Sequence, residues 1–294
     1  QRLQFDIIHA HDWLTFPAGL AAKHASGKPL ILHVHATEFD RTGGNSVNQQ
    51  VYDIERQSME AADGVVAVSQ YTKDILTRHY GIPSRKICVV HNGVDLEDHV
   101  TAQDTPLRLE KLKESGYHIV LFVGRLTLQK GPEYFIRAAK IVAERDPNAF
   151  FIVAGSGEME RRLIEEACAL GIGDRITFTG FLRGEELASL YRIADVYVMS
   201  SVSEPFGITA LESAIHGTPV IISKQSGAKE VLRHSLRTDF WDTEEIANKI
   251  LATIEYQPLR ETLRAEAREE VRHLSWDQAA TRCLSYFQQF ITIS

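Results

Sequence analysis

The chain is poor in cysteine, has no long apolar run and carries no basic excess, and each shortage removes a class of protein. Its three cysteines, Cys88, Cys168 and Cys283, are odd in number and far apart. That excludes a disulfide framework and the paired spacing of a zinc module, and it fits reduced thiols in a cytoplasmic setting. No stretch approaches the roughly 20 apolar residues that a membrane-spanning helix requires. With a net charge of -7 the chain lacks the electrostatic footprint of a nucleic-acid binder. There is no GxSxG elbow, no Ser–His–Asp signature and no Walker A sequence. Gln1-Arg2-Leu3-Gln4 resembles no signal peptide and runs at once into strand-like sequence, so the chain is expected to begin inside a longer protein. What is present is ordinary globular composition, 44% hydrophobic and 24% charged, over 294 residues, enough for two domains.

The chain alternates short apolar runs with amphipathic stretches. Strands are expected at 5–9, 29–35, 64–68 and 86–90, with helices at 13–25, 47–61 and 71–80 between them. The polar stretch Thr37 to Asn48, with Gly43-Gly44, reads as a loop. A second series follows, with strands at 118–123, 149–154, 175–179, 195–199 and 218–223 and helices between them. Alternation of this kind implies parallel sheets with helices on their faces. The expected domains are 1–95, a linker and surface helix at 96–117, a second domain at 118–275 and a terminal helix at 276–294 packing back toward the first, with Ser275 as its N-cap.

One stretch concentrates the chemistry. Ser200 to Glu212 follows the strand at 195–199 and becomes a helix, with Pro205 placed in its first turn and Ile208, Leu211 and Ile215 as its buried stripe. On that reading the amides of Phe206, Gly207, Ile208 and Thr209 form an anion pocket with Glu204 on one side and Glu212 on the other. Gly207 leaves room for close approach to the backbone. Gly124-Arg125 leaves the carboxyl end of another strand, where open α/β sheets bind ligands. Arg125 and Lys130 there suit a diphosphate, Arg as a fork and Lys as a point charge; solvated surface cations are the competing account. Gly155-Ser156-Gly157 is either a phosphate cradle or a tight turn. Gly180-Phe181-Leu182 follows a further strand end, where it either borders a nucleobase or packs into the core. His9, His11, His33 and His35 end two strands of the first domain and mark a polar site. Zinc suits histidine in principle, but no Cys or carboxylate spacing supports it, and no metal is assigned.

Together these residues resemble a known family. Glu204-Pro205-Phe206-Gly207 with Glu212 is similar to the E-x7-E element of retaining glycosyltransferases of the GT-B fold, family 4, and His9-Ala10-His11-Asp12-Trp13 resembles the glycogen and starch synthases. Asn92-Gly93-Val94-Asp95, Gly124-Arg125, Lys130, Gly155-Ser156-Gly157 and Gly180-Phe181 fall in the family's order, and the resemblance covers nearly the whole chain. It implies two Rossmann-like domains facing a cleft, the N-terminal one lacking its first strands and Gly-rich loop. It implies retaining transfer of a hexose from a UDP- or ADP-sugar to a carbohydrate acceptor, without metal or other cofactor. In that scheme Arg125 and Lys130 hold the diphosphate, Glu204 contacts the donor sugar, Glu212 the ribose, the amides of Phe206 to Thr209 sugar and phosphate, and Gly180 and Leu182 border the base. His11 faces the donor sugar from the other domain. A nucleotide-sugar 2-epimerase of the same architecture, or a fragment that holds the nucleotide without turnover, draws on the same residues.

Overall fold

The structure is a computed structural model that describes residues 4–44, 46–94 and 107–291. Asp95 and residues 96–106, the first half of the expected linker at 96–117, lie outside the described residues. The chain divides into two compact units, Gln1–Gly93 with Leu274–Ser294, and Val94–His273.

The first unit runs β1 (Ile8–His11), α1 (Asp12–Ser26), β2 (Leu30–Val34), α2 (Glu38–Thr42), α3 (Gln49–Ala61), β3 (Gly64–Ala67), α4 (Gln70–Tyr80) and β4 (Ile87–Val89). Its strands form a parallel sheet in the order β1-β2-β3-β4. The interior strands β2 and β3 are buried along their whole length, which is why they read as continuous apolar runs. Leu30, Leu32, Val65, Leu76 and Tyr80 pack on one face of the sheet. Ile31 and Val66 pack on the other, against Tyr286 and Phe287 of the chain's last helix.

Two expectations for this unit are corrected. The first strand covers Ile8–His11 instead of 5–9, because pairing with β2 continues to His11 opposite His33. The stretch 37–48 is not a plain loop. Thr37 and Asp40 form a capping box that starts α2, and Gly43 closes it with φ of 62°. Behind that short helix lies a buried polar network. The Arg41 guanidinium meets Glu38 at 3.1 Å and Glu55 at 2.5 Å, and the Tyr80 hydroxyl donates to Glu55 at 2.5 Å. Burial pushes the Glu55 carboxyl above its usual range, while Tyr80 and Arg41 hold it down.

The second unit runs α5 (Leu107–Glu114), β5 (His118–Val123), α6 (Pro132–Arg145), β6 (Ala149–Ala154), α7 (Glu160–Ala169), β7 (Ile176–Gly180), α8 (Glu185–Ile193), β8 (Val196–Met199), α9 (Ile208–Ile215), β9 (Val220–Ser223), β10 (Leu236–Thr238), α10 (Thr243–Glu255) and α11 (Gln257–Val271); α12 (Trp276–Phe287) then belongs to the first unit. The sheet is parallel, in the order β10-β9-β8-β5-β6-β7. β10 has no counterpart in the sequence reading: at three residues, Leu-Arg-Thr, it is too short to show a period. The order matters more than the count. The chain lays β6 and β7 on one side of β5, then crosses to lay β8, β9 and β10 on the other. β5 and β8 therefore flank the topological switch point, where the connections leave in opposite directions and open a crevice at the strands' carboxyl ends.

Replacing Arg41 by Met leaves the buried Glu55 without its cation. We expect a loss of about 3 kcal/mol from the first unit, and of only about 1 kcal/mol for Tyr80→Phe. Urea denaturation in a Trp241→Phe background, whose fluorescence then reports Trp13 and Trp276, measures both.

Candidate functional site at the strand switch point

The loops that leave β5 and β8 are bonded to each other. Gln129 is buried and makes the central tie: its carbonyl accepts from the Val202 amide at 2.9 Å, and its side-chain amide donates to the Ser203 carbonyl at 3.2 Å. Its side-chain oxygen accepts from Arg125 at 3.2 Å, which aims the guanidinium. Ser200 Oγ donates to the Gly131 carbonyl at 2.8 Å. Gly131 caps α6 with φ of 60°, and a Cβ there would stand 2.3 Å from the Ser200 carbonyl oxygen, so only glycine fits.

Across this junction Lys130 Nζ meets Glu204 Oε2 at 2.5 Å, with side-chain exposures of 21% and 7%. Ser201 Oγ donates to the same carboxylate oxygen at 3.1 Å. The backbone of Glu204 is pinned on both sides, its amide on the Gln225 carbonyl and its carbonyl on the Gly227 amide, each at 2.9 Å. Glu204 is therefore a fixed carboxylate with a cation already on it.

The helix beyond differs from the sequence reading in where it begins. Gly207, at φ of 101°, is the N-cap, and the helix starts at Ile208. Pro205 and Phe206 precede it, so Pro205 is not in a first helical turn, and the first-turn amides are those of Ile208, Thr209 and Ala210 rather than of Phe206 and Gly207. Ile208 is 36% exposed and does not belong to the buried stripe, which is carried by Ala210, Leu211, Ala214 and Ile215. Glu212 accepts from the fully buried Tyr191 hydroxyl at 2.9 Å, and Tyr197 bonds Thr209 at 2.8 Å. Burial, and for Tyr191 the neighbouring Glu212 carboxylate, pushes both phenols above their usual range.

A cavity of about 400 Å³ opens beside the junction, lined by Gly124, Arg125, Gly155, Ser156, Phe181, Leu182, Arg183, Thr209 and Glu212 among others. Eight positions picked from the sequence thus share one wall: Gly124, Arg125, Gly155, Ser156, Phe181, Leu182, Thr209 and Glu212. Gly180 adjoins it through the Gly155 amide, which donates to the Gly180 carbonyl at 2.8 Å. Lys130, Glu204, Phe206, Gly207 and Ile208 are not on that wall; Lys130 and Glu204 close on each other in the neighbouring loops. Phe181 is 73% exposed, so it is not a core residue. Gly157 has a packing reason of its own, since a Cβ there would lie 2.4 Å from the Leu126 carbonyl oxygen. Gln129, Ser201, Tyr191 and Tyr197 escaped the sequence reading. Gln129, Tyr191 and Tyr197 act through partners distant in the chain, whereas Ser201 acts on Glu204, three residues on within the same stretch.

In the first unit His9, His11, His33 and His35 stand on one face at the ends of β1 and β2. Their ring centroids are 4.2 to 5.3 Å apart, and His11 Nδ1 lies 2.9 Å from His35 Nε2. Burial first, and then the neighbouring imidazoles, lowers His9 to about 4 and His33 to about 2. His11 and His35 are also lowered by burial, against the opposing pull of Asp12.

Comparison with known proteins decides the family. The family model described as Glycosyl transferases group 1 matches residues 104–270, and the one described as Glycosyltransferase Family 4 matches residues 1–98. The chain belongs to the group 1 glycosyltransferases. It is 33% identical to an uncharacterized glycosyltransferase of Methanocaldococcus jannaschii, over 97% of this chain and 75% of that protein. It is 32% identical to a D-inositol 3-phosphate glycosyltransferase of Salinispora tropica, over 98% of this chain and 64% of that one, so it spans about two thirds of that relative's length. Among solved structures it is similar to the sucrose-phosphate synthase of Thermosynechococcus elongatus, with a TM-score of 0.83, 25% identity, and coverage of 97% and 73%. The fold of this glycosyltransferase chain is accordingly GT-B, with two parallel-sheet Rossmann-like domains. Among the described residues no helix is long and apolar enough to cross a membrane.

The histidine face makes stability depend on pH. In the unfolded chain these imidazoles protonate near their ordinary 6.5, whereas the folded chain keeps His9 neutral to about 4 and His33 to about 2. The unfolded state therefore binds more protons below pH 6.5. Stability is whole above that pH and falls as pH drops, at up to about 1.4 kcal/mol per pH unit for each such group. Unfolding free energies from pH 7 to pH 4.5, measured with a chelator present, should show that slope, and His33→Asn should flatten it.

Proposed function

We propose that this glycosyltransferase moves a hexose from a nucleotide-diphosphate sugar, UDP- or ADP-linked, to a sugar or glycan acceptor with retention at the anomeric carbon. The observation that carries the reading is the Lys130–Glu204 pair, fixed at the switch point beside a cavity that holds Arg125 and Glu212. In the proposed step the bond from the anomeric carbon to the diphosphate oxygen breaks with its electron pair left on the diphosphate, an acceptor hydroxyl oxygen bonds that carbon on the same face, and the hydroxyl's proton passes to the departing diphosphate oxygen. Arg125, Lys130 and the amides at the start of α9 meet that growing negative charge. These groups are set before the substrate arrives, because Gln129 aims Arg125 and Gly131 shapes the turn that carries Lys130. The charge is met by protein groups, so the step does not draw on a metal.

The remaining assignments in this proposal are those that the family resemblance implies. Glu212, held by Tyr191, accepts from the ribose hydroxyls. The exposed ring of Phe181 and the backbone of Gly180 and Leu182 border the base. Gly124 and Gly155 let the diphosphate approach main chain. Glu204 contacts the donor sugar together with the backbone of Phe206 and Gly207, and Ile208 and Thr209 supply amides. His11 is assigned to the donor sugar from the first domain. The acceptor is a carbohydrate. The free thiols of Cys88, Cys168 and Cys283 suit a reducing compartment, and the cytoplasm is the location proposed.

The test is turnover of nucleotide-diphosphate hexoses with oligosaccharide acceptors, followed by the proton spectrum of the product. Transfer should release nucleoside diphosphate and give the donor's own anomeric configuration. Lys130→Met and Glu204→Gln should each cut turnover on the order of 100-fold or more, and Glu212→Gln should act mainly on the donor KM. An inverted product removes retention. A rearranged sugar nucleotide without glycoside identifies a 2-epimerase instead. Donor binding by calorimetry without turnover identifies a binding fragment.

A further inference from the structure

We propose that His9, His11 and His33 form a binding site for one divalent transition cation of the zinc class, and that filling it withdraws His11 from the donor sugar. The reaction proposed above gives no role to His9 or His33. The parallel register sets His11 opposite His33, and the two-residue period of a strand brings His9 to the same face as His11. One nitrogen from each of the three rings lies within 4.8 Å of the other two. Zinc–nitrogen bonds of about 2.0–2.1 Å hold tetrahedral neighbours roughly 3.4 Å apart. Side-chain rotation closes the difference, and a cavity of about 530 Å³ in front of the rings gives it room.

A second observation points to an occupant. His33 is only 7% exposed, yet neither of its ring nitrogens has a hydrogen-bond partner; His9 Nε2 has none either. Buried polar atoms in folded proteins find partners, and the exceptions call for an explanation such as an ion. The facing walls include Val90, Ala279, Leu284 and Phe287, which offer a water molecule few partners. A cation takes up three lone pairs at once. The donor set decides its kind: imidazole suits zinc, cobalt, nickel and copper, whereas calcium and magnesium require oxygen ligands. His35, at 2.9 Å from His11 Nδ1, orients that ring in the way metal-bound imidazoles are usually oriented. Asp12, its Oδ1 2.8 Å from the His35 amide, places a negative charge beside the cluster. The three imidazoles leave a coordination position facing the cavity, which Cys283 also lines.

The probe is cobalt(II) chloride, titrated into the full chain without a polyhistidine tag after dialysis against chelator, and read by calorimetry and by the cobalt ligand-field bands in the visible. One equivalent should bind. His33→Asn and His9→Gln, each confirmed folded by circular dichroism, should weaken binding by at least about tenfold, and the exposed His273→Gln should not. Absence of stoichiometric binding, or binding undiminished in both cluster variants, overturns the site. The second half of the proposal rests on the assignment of His11 to the donor sugar. Cobalt should then inhibit transfer in competition with donor, and chelator should reverse it. Stoichiometric binding without inhibition overturns the claim on His11 and leaves the cation site standing. A chain with no transferase activity at all fails the functional reading, while the isotherm still decides the site.

Discussion

The second unit depends on one constraint: the loops after β5 and β8 diverge at the switch point and must still be held together. A parallel sheet supplies no bonds beyond its strand ends, so the loops supply their own. Gln129 does so with neutral hydrogen bonds, and Lys130 with Glu204 does so with a charged one. Such a pair adds little net stability, since desolvation cancels much of the attraction. What it does is fix geometry, because removing either partner leaves the other charge poorly solvated. The neighbouring pieces share the logic. Gly131 exists to let the Ser200 carbonyl approach, and the Gln225 and Gly227 main chain exists to hold Glu204 in place.

The first unit solves a different problem with the same topology. Its strand ends present imidazoles, and its sheet is closed on that face by α12, with Phe287 packed edge-on against His9 at 4.9 Å. Burial opposes protonation of these rings, and the lowering is largest for His33, the most enclosed of them. A helix that comes last in sequence thus sets the electrostatics of residues that come first. Tyr286 fixes its position through a bond to the Lys86 carbonyl at 2.8 Å, and Gly93 passes its start so closely that a Cβ would fall 2.2 Å from the Trp276 amide nitrogen.

How much of this was legible in the chain follows from the range of each signal. β5 and β6 were bounded correctly from sequence, because apolar runs are local marks. The gathering of Gly124, Arg125, Gly155 and Phe181 was legible because all leave strand ends of one sheet, and Glu212 joins them from the helix that follows β8. The start of α9 was misplaced because Pro205 and Gly207 send conflicting signals: proline permits a first turn, while the positive φ that glycine adopts here forbids one. Gln129 and Tyr191 stayed hidden since their partners lie 74 and 21 residues away with no period to reveal them. α2 was hidden likewise, its buried partner Glu55 lying 14 residues beyond Arg41.

The pairing of Lys130 with Glu204 also bears on how the proposed donor is recognised. A diphosphate that engages Lys130 has to share it with a carboxylate, which weakens ground-state binding. Charge on the leaving diphosphate grows as the glycosidic bond breaks, so its claim on Lys130 strengthens as the reaction proceeds. The same competition that costs affinity therefore favours the transition state over the bound donor, and only that difference accelerates the chemical step. Under the proposed assignment Glu204, as its lysine is drawn away, is the more exposed negative charge beside the sugar, where positive character develops. In this arrangement one ion pair divides between the two ends of the breaking bond.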